Sequence, residues 1–239
     1  MNQSSLLLLT LCLFACSPCK TLVVKKDLDV AYQASIRDAA QPETSKISDD
    51  LWSLSAENPD LIQDDQGRVL VMTWTSWDGY KQSTGQPMTL SRDIWVTPAP
   101  QLQDFCTKLR LDSADMQLRL KQLLGLPPTG NKSYFAEMWV APSDCFRPCP
   151  DPEVTDQMCS LAYPTSSRGN VNPAHQQWIE NLRAESYGPE GYPWTQLGYT
   201  YDWGNPKYHV GLSECVVPEG ATVLVNEAFN IYDYCSTKR

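Results

Sequence analysis

Three carboxylates, Glu137, Asp202 and Glu214, are the groups best suited by type to acid–base chemistry in this chain. Glu137 stands between Phe135 and Trp139, so in an extended segment all three share one face, and apolar neighbours raise a carboxyl toward general-acid use. Paired with Asp202 or Glu214 at a suitable separation, it would form a glycosidase-like site acting on glycan. Unpaired, each is a solvated or salt-bridged carboxylate at a sheet edge. The two histidines are His175 and His209. His175 precedes Trp178, Ile179 and Leu182 on one helical face, the pattern of a partly buried, hydrogen-bonded residue, and a place in a helix first turn disfavours its protonated form. His209 would share a strand face with Ser213, but no G-x-S-x-G turn surrounds that serine to make it a nucleophile. Asp144, Asp151, Glu153 and Asp156 fit no EF-hand spacing, and Cys145-x3-Cys149 lacks the second pair a zinc site needs. No metal or cofactor is expected.

Aromatic residues carry the stronger signal. Tyr187, Tyr192, Trp194, Tyr199, Tyr201, Trp203 and Tyr208 lie close together, interleaved with Gly188, Gly191, Pro193, Gly198, Gly204 and Pro206. If the chain is extended from Tyr199 to Trp203, the alternating rings share one face while Thr200 and Asp202 point the other way. Trp194, Tyr199, Tyr201 and Trp203 are therefore the candidate ligand-binding residues, since flat rings with polar tips suit a glycan or peptide surface. The same residues also suit a core beneath a glycine-rich loop.

The elements that must position these groups are readable from periodicity. Val69 to Trp74 and Arg92 to Val96 have strand character, as do Tyr134 to Val140, Val210 to Val217 and Thr222 to Val225. A helix follows Pro98-Ala99-Pro100, with Leu102, Phe105, Cys106 and Leu109 on one face. A second starts at Ser113, turns Met116, Leu120, Leu123 and Leu124 inward and stops at Gly125, and a third starts at Asn172-Pro173 and ends at Gly188. Strands mixed irregularly with about three helices predict an α+β domain with a mixed or antiparallel sheet.

Cysteine usage and composition narrow the setting. Cys106, Cys145, Cys149, Cys159, Cys215 and Cys235 form an even set, as expected of a chain that reaches an oxidising compartment. Proximity favours Cys149–Cys159, a buried helix cysteine and an aromatic C-terminal segment favour Cys106–Cys235, and Cys145–Cys215 follows by elimination. In the chain-entropy view the short Cys149–Cys159 loop adds about 3 kcal/mol and the long Cys106–Cys235 loop roughly 5 kcal/mol. The 239 residues, 42% of them hydrophobic, are enough to bury a full core, and the formal charge of −9 argues against nucleic-acid binding.

At the N-terminus an uncharged start leads into the apolar run Leu6 to Phe14, too short to span a bilayer, followed by Ala15 and Cys16. Leu13-Phe14-Ala15-Cys16 resembles the lipobox of bacterial lipoproteins, which implies a signal peptide over 1–15 and lipidation of Cys16. Residues 16–47 read as a polar tether and 48–239 as the globular domain. Export to the bacterial cell envelope as a lipoprotein is the expectation, with a periplasmic or extracellular product if cleavage occurs without lipidation; membrane contact would be through the lipid alone.

Arg147-Pro148-Cys149-Pro150-Asp151-Pro152 and the run from Gly191 to Pro206, Gly191-Tyr192-Pro193-Trp194-Thr195-Gln196-Leu197-Gly198-Tyr199-Thr200-Tyr201-Asp202-Trp203-Gly204-Asn205-Pro206, resemble a group of exported bacterial proteins of uncharacterised role. The resemblance extends over about Val69 to Cys235 and implies bacterial origin and a shared fold, with no activity attached. The sequence is thus read as an envelope-associated binding or interaction module. A carboxylate-dependent glycan hydrolase and a structural lipoprotein without ligand stand as alternatives.

Overall fold

The computed structural model describes residues 25–236 apart from 110, 112, 131 and 165–170. The signal segment and Cys16 lie outside the described residues. The order is helix α1 (Lys25–Ala39), strand β1 (Val69–Thr75), short helix α2 (Gly79–Gln82), β2 (Pro87–Thr89), β3 (Ile94–Pro98), α3 (Ala99–Cys106), α4 (Ser113–Leu123), β4 (Tyr134–Val140), α5 (Pro173–Ser186), β5 (Tyr199–Tyr201), β6 (Val210–Ser213), β7 (Cys215–Val217), β8 (Thr222–Asn230) and α6 (Ile231–Ser236). The architecture is α+β. A six-stranded sheet in the order β2-β8-β4-β1-β3-β7 pairs antiparallel throughout, and β5 and β6 form a separate two-stranded ribbon.

Strand alternation assigns the two faces of the sheet. Leu70, Met72, Trp74 and Phe135 pack beneath Ala99, Leu102 and Cys106 of α3, Leu120 and Leu123 of α4, and Ile231 and Tyr234 of α6. Val69, Val71, Ala136, Met138, Val140, Val223 and Val225 form the opposite face with Leu54, Leu61, Tyr80 and Leu90 from the connecting segments. Both faces are covered, so the central strands β1 and β4 are apolar on each side, and a fully enclosed residue such as Leu120 contributes about 1.5–3 kcal/mol. Asn172 caps α5 by accepting the Ala174 N–H, and α4 ends at Leu123, in the turn before Gly125, whose φ of +65° a side chain would resist.

Six α-helices are present among the described residues where about three were expected, because α1, α2 and α6 were not read as helices, and the structure differs from expectation in three further places. The stretch read as a tether carries α1, whose Tyr32, Ile36 and Ala39 are buried against Tyr201 and Trp203. Steps of four and three residues put these side chains on one helical stripe, so the packed body begins before residue 48. The run Val210 to Val217 is divided at Glu214, with β6 joining the ribbon and β7 joining β3 of the main sheet. Finally, Cys106–Cys235 and Cys149–Cys159 are bonded as expected, but Cys145 and Cys215 are buried free thiols. Burial pushes both thiols up, which removes the thiolate needed for exchange.

Arg147, only 1% exposed, ties the connecting segments together. Its guanidinium reaches Asp156 Oδ1 at 2.5 Å, the Asp156 and Met158 carbonyls and the Trp52 carbonyl. Gly198 lies against this knot with φ +74°, and a Cβ there would come 2.7 Å from Cys159 Sγ.

Candidate functional site

β1 and β3 pair only at Val71/Pro98 and Met72/Thr97. Beyond that point β1 stays with β4 as far as Thr75, and β3 stays with β7 through Ile94/Val217, Trp95/Val216 and Val96/Cys215. The main sheet therefore divides, and the next two pairs in register, Thr73/Val96 and Trp74/Trp95, are not made. Alternation fixes which main-chain groups border the gap. The Leu70 N–H bonds Ile62 on the β3 side, so Met72 and Trp74 direct their N–H and C=O that way, while the Thr75 carbonyl accepts from Ser133 beside β4.

A cleft of about 570 Å³ fills this division, well within the range of small-ligand sites. Trp74, Trp95 and Thr97 are among its lining residues, as are Trp194, Tyr201 and Glu214. The Trp74 indole N–H and the Thr97 hydroxyl belong to lining residues but are themselves closed off, and they have no hydrogen-bond partner among the described residues. Such atoms cost about 1–3 kcal/mol each unless something meets them.

Glu214 sits at the joint between β6 and β7, where its N–H donates to the Gly198 carbonyl at 2.9 Å. The residue is 7% exposed and borders the cleft, and its carboxyl has no hydrogen-bond or ion-pair partner among the described residues. Burial alone pushes that carboxyl up to about 8.

The other two candidate carboxylates are elsewhere. Glu137 is wholly buried on β4 between Phe135 and Trp139, as the alternation predicts, and accepts from Asn226 at 2.9 Å. Asp202 is held by Arg119 and by the Gly204 N–H. The fold does not bring the three together around the cleft. A carboxylate overlooked in the sequence, Asp93 just before β3, also borders the cleft, but its oxygens accept from the Trp178 indole at 2.8 Å and the Glu219 N–H at 2.9 Å.

The candidate aromatic residues form no open platform. Trp194, Tyr199, Tyr201 and Trp203 are all buried. Each polar tip is satisfied inside: Trp194 donates to the Pro148 carbonyl, Tyr199 to that of Lys46, Tyr201 to Asp38 Oδ2 and Trp203 to the Leu126 carbonyl. Trp194 and Tyr201 nonetheless present part of their surface to the cleft. Tyr199 and Tyr201 also border a smaller cavity of about 270 Å³ beside α1.

Neither histidine is arranged for nucleophilic catalysis. His175 Nε2 bonds the Cys149 carbonyl at 2.8 Å and its ring stacks on Trp178, with burial lowering its pKa. His209 stacks on Tyr201 and bonds the Asp202 carbonyl. The Ser213 hydroxyl instead accepts from the Trp52 N–H at 2.8 Å. Among the described residues, no cluster of three or more His, Cys, Asp or Glu side chains could hold a metal, and no helix is long and apolar enough to cross a membrane.

Comparison with protein-family models, with curated proteins and with solved structures gave no match to this chain.

Proposed function

We propose that this protein is a binding module whose divided sheet receives an extended peptide between β1 and β3. The observation that carries the reading is the unmade Trp74/Trp95 pair, which leaves two facing strand edges with main-chain donors and acceptors bordering a cleft. A peptide in strand conformation supplies alternating N–H and C=O groups of the complementary kind, with affinity from main-chain bonds and selectivity from alternate side chains. A glycan hydrolase is less well supported, because the second carboxylate of the expected pair stands outside the cleft.

Two disulfides favour an oxidising compartment, in keeping with export to the bacterial envelope and a lipid anchor at Cys16 as part of this proposal. The test is amide chemical-shift mapping with a capped peptide of alternating valine and threonine. Shifts should concentrate at the Trp74 and Trp95 amides and the Trp74 indole, and N-methylation of alternate peptide amides should abolish them. Shifts confined to other surfaces, or binding of glycan fragments in the cleft instead, would overturn the reading.

A further inference from the structure

We infer that Glu214 is the selectivity residue of the cleft and that it takes a cationic side chain, lysine or arginine, from the bound peptide. The inference rests on the reading of the cleft as a peptide site and names the chemistry of its occupant.

Buried carboxylates elsewhere in this protein have donors. Asp202 has Arg119 and the Gly204 N–H and Glu137 has Asn226, and even the half-buried Asp93 has the Trp178 indole and the Glu219 N–H. Glu214 is buried to a similar degree yet meets no donor and no cation among the described residues, and it borders open volume. A buried ionisable group is ordinarily paired, so the missing counter-charge is what the cleft is built to receive.

The groups close enough to feel the Glu214 charge are Tyr187 after α5, Tyr199 on β5 and Cys215 on β7. All three are raised by burial and stay uncharged, so none supplies a positive charge. Arg147, which acts on Cys215, is committed to Asp156. Arg92, Asp93 and Lys132 border the same cleft but form no ion pair with Glu214.

Binding a cation favours the ionised carboxylate. Because burial holds the free group up to about 8, affinity for a cationic peptide should rise with pH through the neutral range and level off above that value. A protonated carboxyl donating to a neutral ligand would give the opposite slope.

The test compares two capped valine–threonine peptides, one with lysine at the centre and one with norleucine, by calorimetry from about pH 6 to about pH 9 at low salt. The lysine peptide should bind about tenfold or more tightly than the norleucine peptide at the alkaline end, with the preference shrinking toward pH 6. Glu214→Gln should erase both the preference and its pH dependence. Equal affinity for the two peptides in the unsubstituted protein, or a preference that survives Glu214→Gln, would overturn this inference and leave the peptide cleft standing. Failure of both peptides to bind would overturn the two together. The pH profile of the unsubstituted protein is decisive by itself if the variant does not fold.

Discussion

Arg119 holds Asp202 in a two-bonded clamp, with Nη1 at 2.8 Å from Oδ1 and Nη2 at 2.5 Å from Oδ2. The carboxylate is 3% exposed and stands just after β5, so the clamp fastens the β5–β6 ribbon to α4. Arg119→Ala strands a buried charge and should cost about 3–5 kcal/mol in denaturant unfolding. Arg119→Met combined with Asp202→Asn removes both charges and should recover most of the loss. An equal loss in the double variant would count against the clamp as an electrostatic device.

The two disulfides should contribute unequally. Cys106 and Cys235 are 129 residues apart and Cys149 and Cys159 are 10 apart, so chain entropy assigns about 5 kcal/mol to the first and about 3 kcal/mol to the second. Paired alanine substitutions should lower the melting temperature in that order. Thiol labelling of the folded, oxidised protein should find Cys145 and Cys215 slow to react and should find them fast after denaturation.

Trp203→Ala separates core from ligand anchor. The ring meets Tyr32 edge-on at 5.8 Å and its indole donates to the Leu126 carbonyl, so truncation should cost about 3–5 kcal/mol of stability. Trp203 does not border the cleft, and peptide affinity measured well below the lowered melting point should be unchanged. A large loss of affinity with stability intact would make it an anchor instead.

Glu214 should impose a slope on stability. The folded state keeps the proton up to about 8, whereas the ordinary value is 4.5, so across that window the unfolded chain binds fewer protons and stability falls as pH rises. Asp38 acts in the opposite sense: burial would raise it, but hydrogen bonds from Lys46 and Tyr201 and the Lys46 charge hold it below its usual range, so its contribution is lost only in acid. Glu214→Gln should therefore be more stable than the unsubstituted protein at alkaline pH, by on the order of a few kcal/mol, with little difference near pH 4. Urea midpoints across the range would check the sign.

Local signals made much of this fold readable. Pro100 and Leu102 to Cys106 announce α3, Asn172-Pro173 announces α5, and the apolar run Tyr134 to Val140 is β4. Helix α1 was also written in the chain, since Tyr32, Ile36 and Ala39 keep a helical spacing, but charged and polar neighbours on the other face masked it. The cleft was not readable. It exists because β3 leaves β1 after Met72/Thr97 to follow β7, a choice between distant partners that no window of sequence records. Glu214 could be named as a carboxylate of interest, but its isolation depends on Gly198, Tyr187 and Tyr199 converging around it. The pairing of Cys145 with Cys215 failed because elimination assumes every thiol is bonded.

The division of the run Val210 to Val217 at Glu214 also bears on how this molecule breathes. A hairpin such as β5–β6 would ordinarily peel from its neighbours on its own and exchange its amides early. Here the same length of backbone passes directly from β6 into β7, where Val216 is bonded both ways to Phe146, and the Ser213 N–H is held by Gln101 at 2.9 Å. Lifting the ribbon pulls on the edge of the main sheet, so the two should open as one cooperative unit, with Ser213 and Val216 amides exchanging at a common rate.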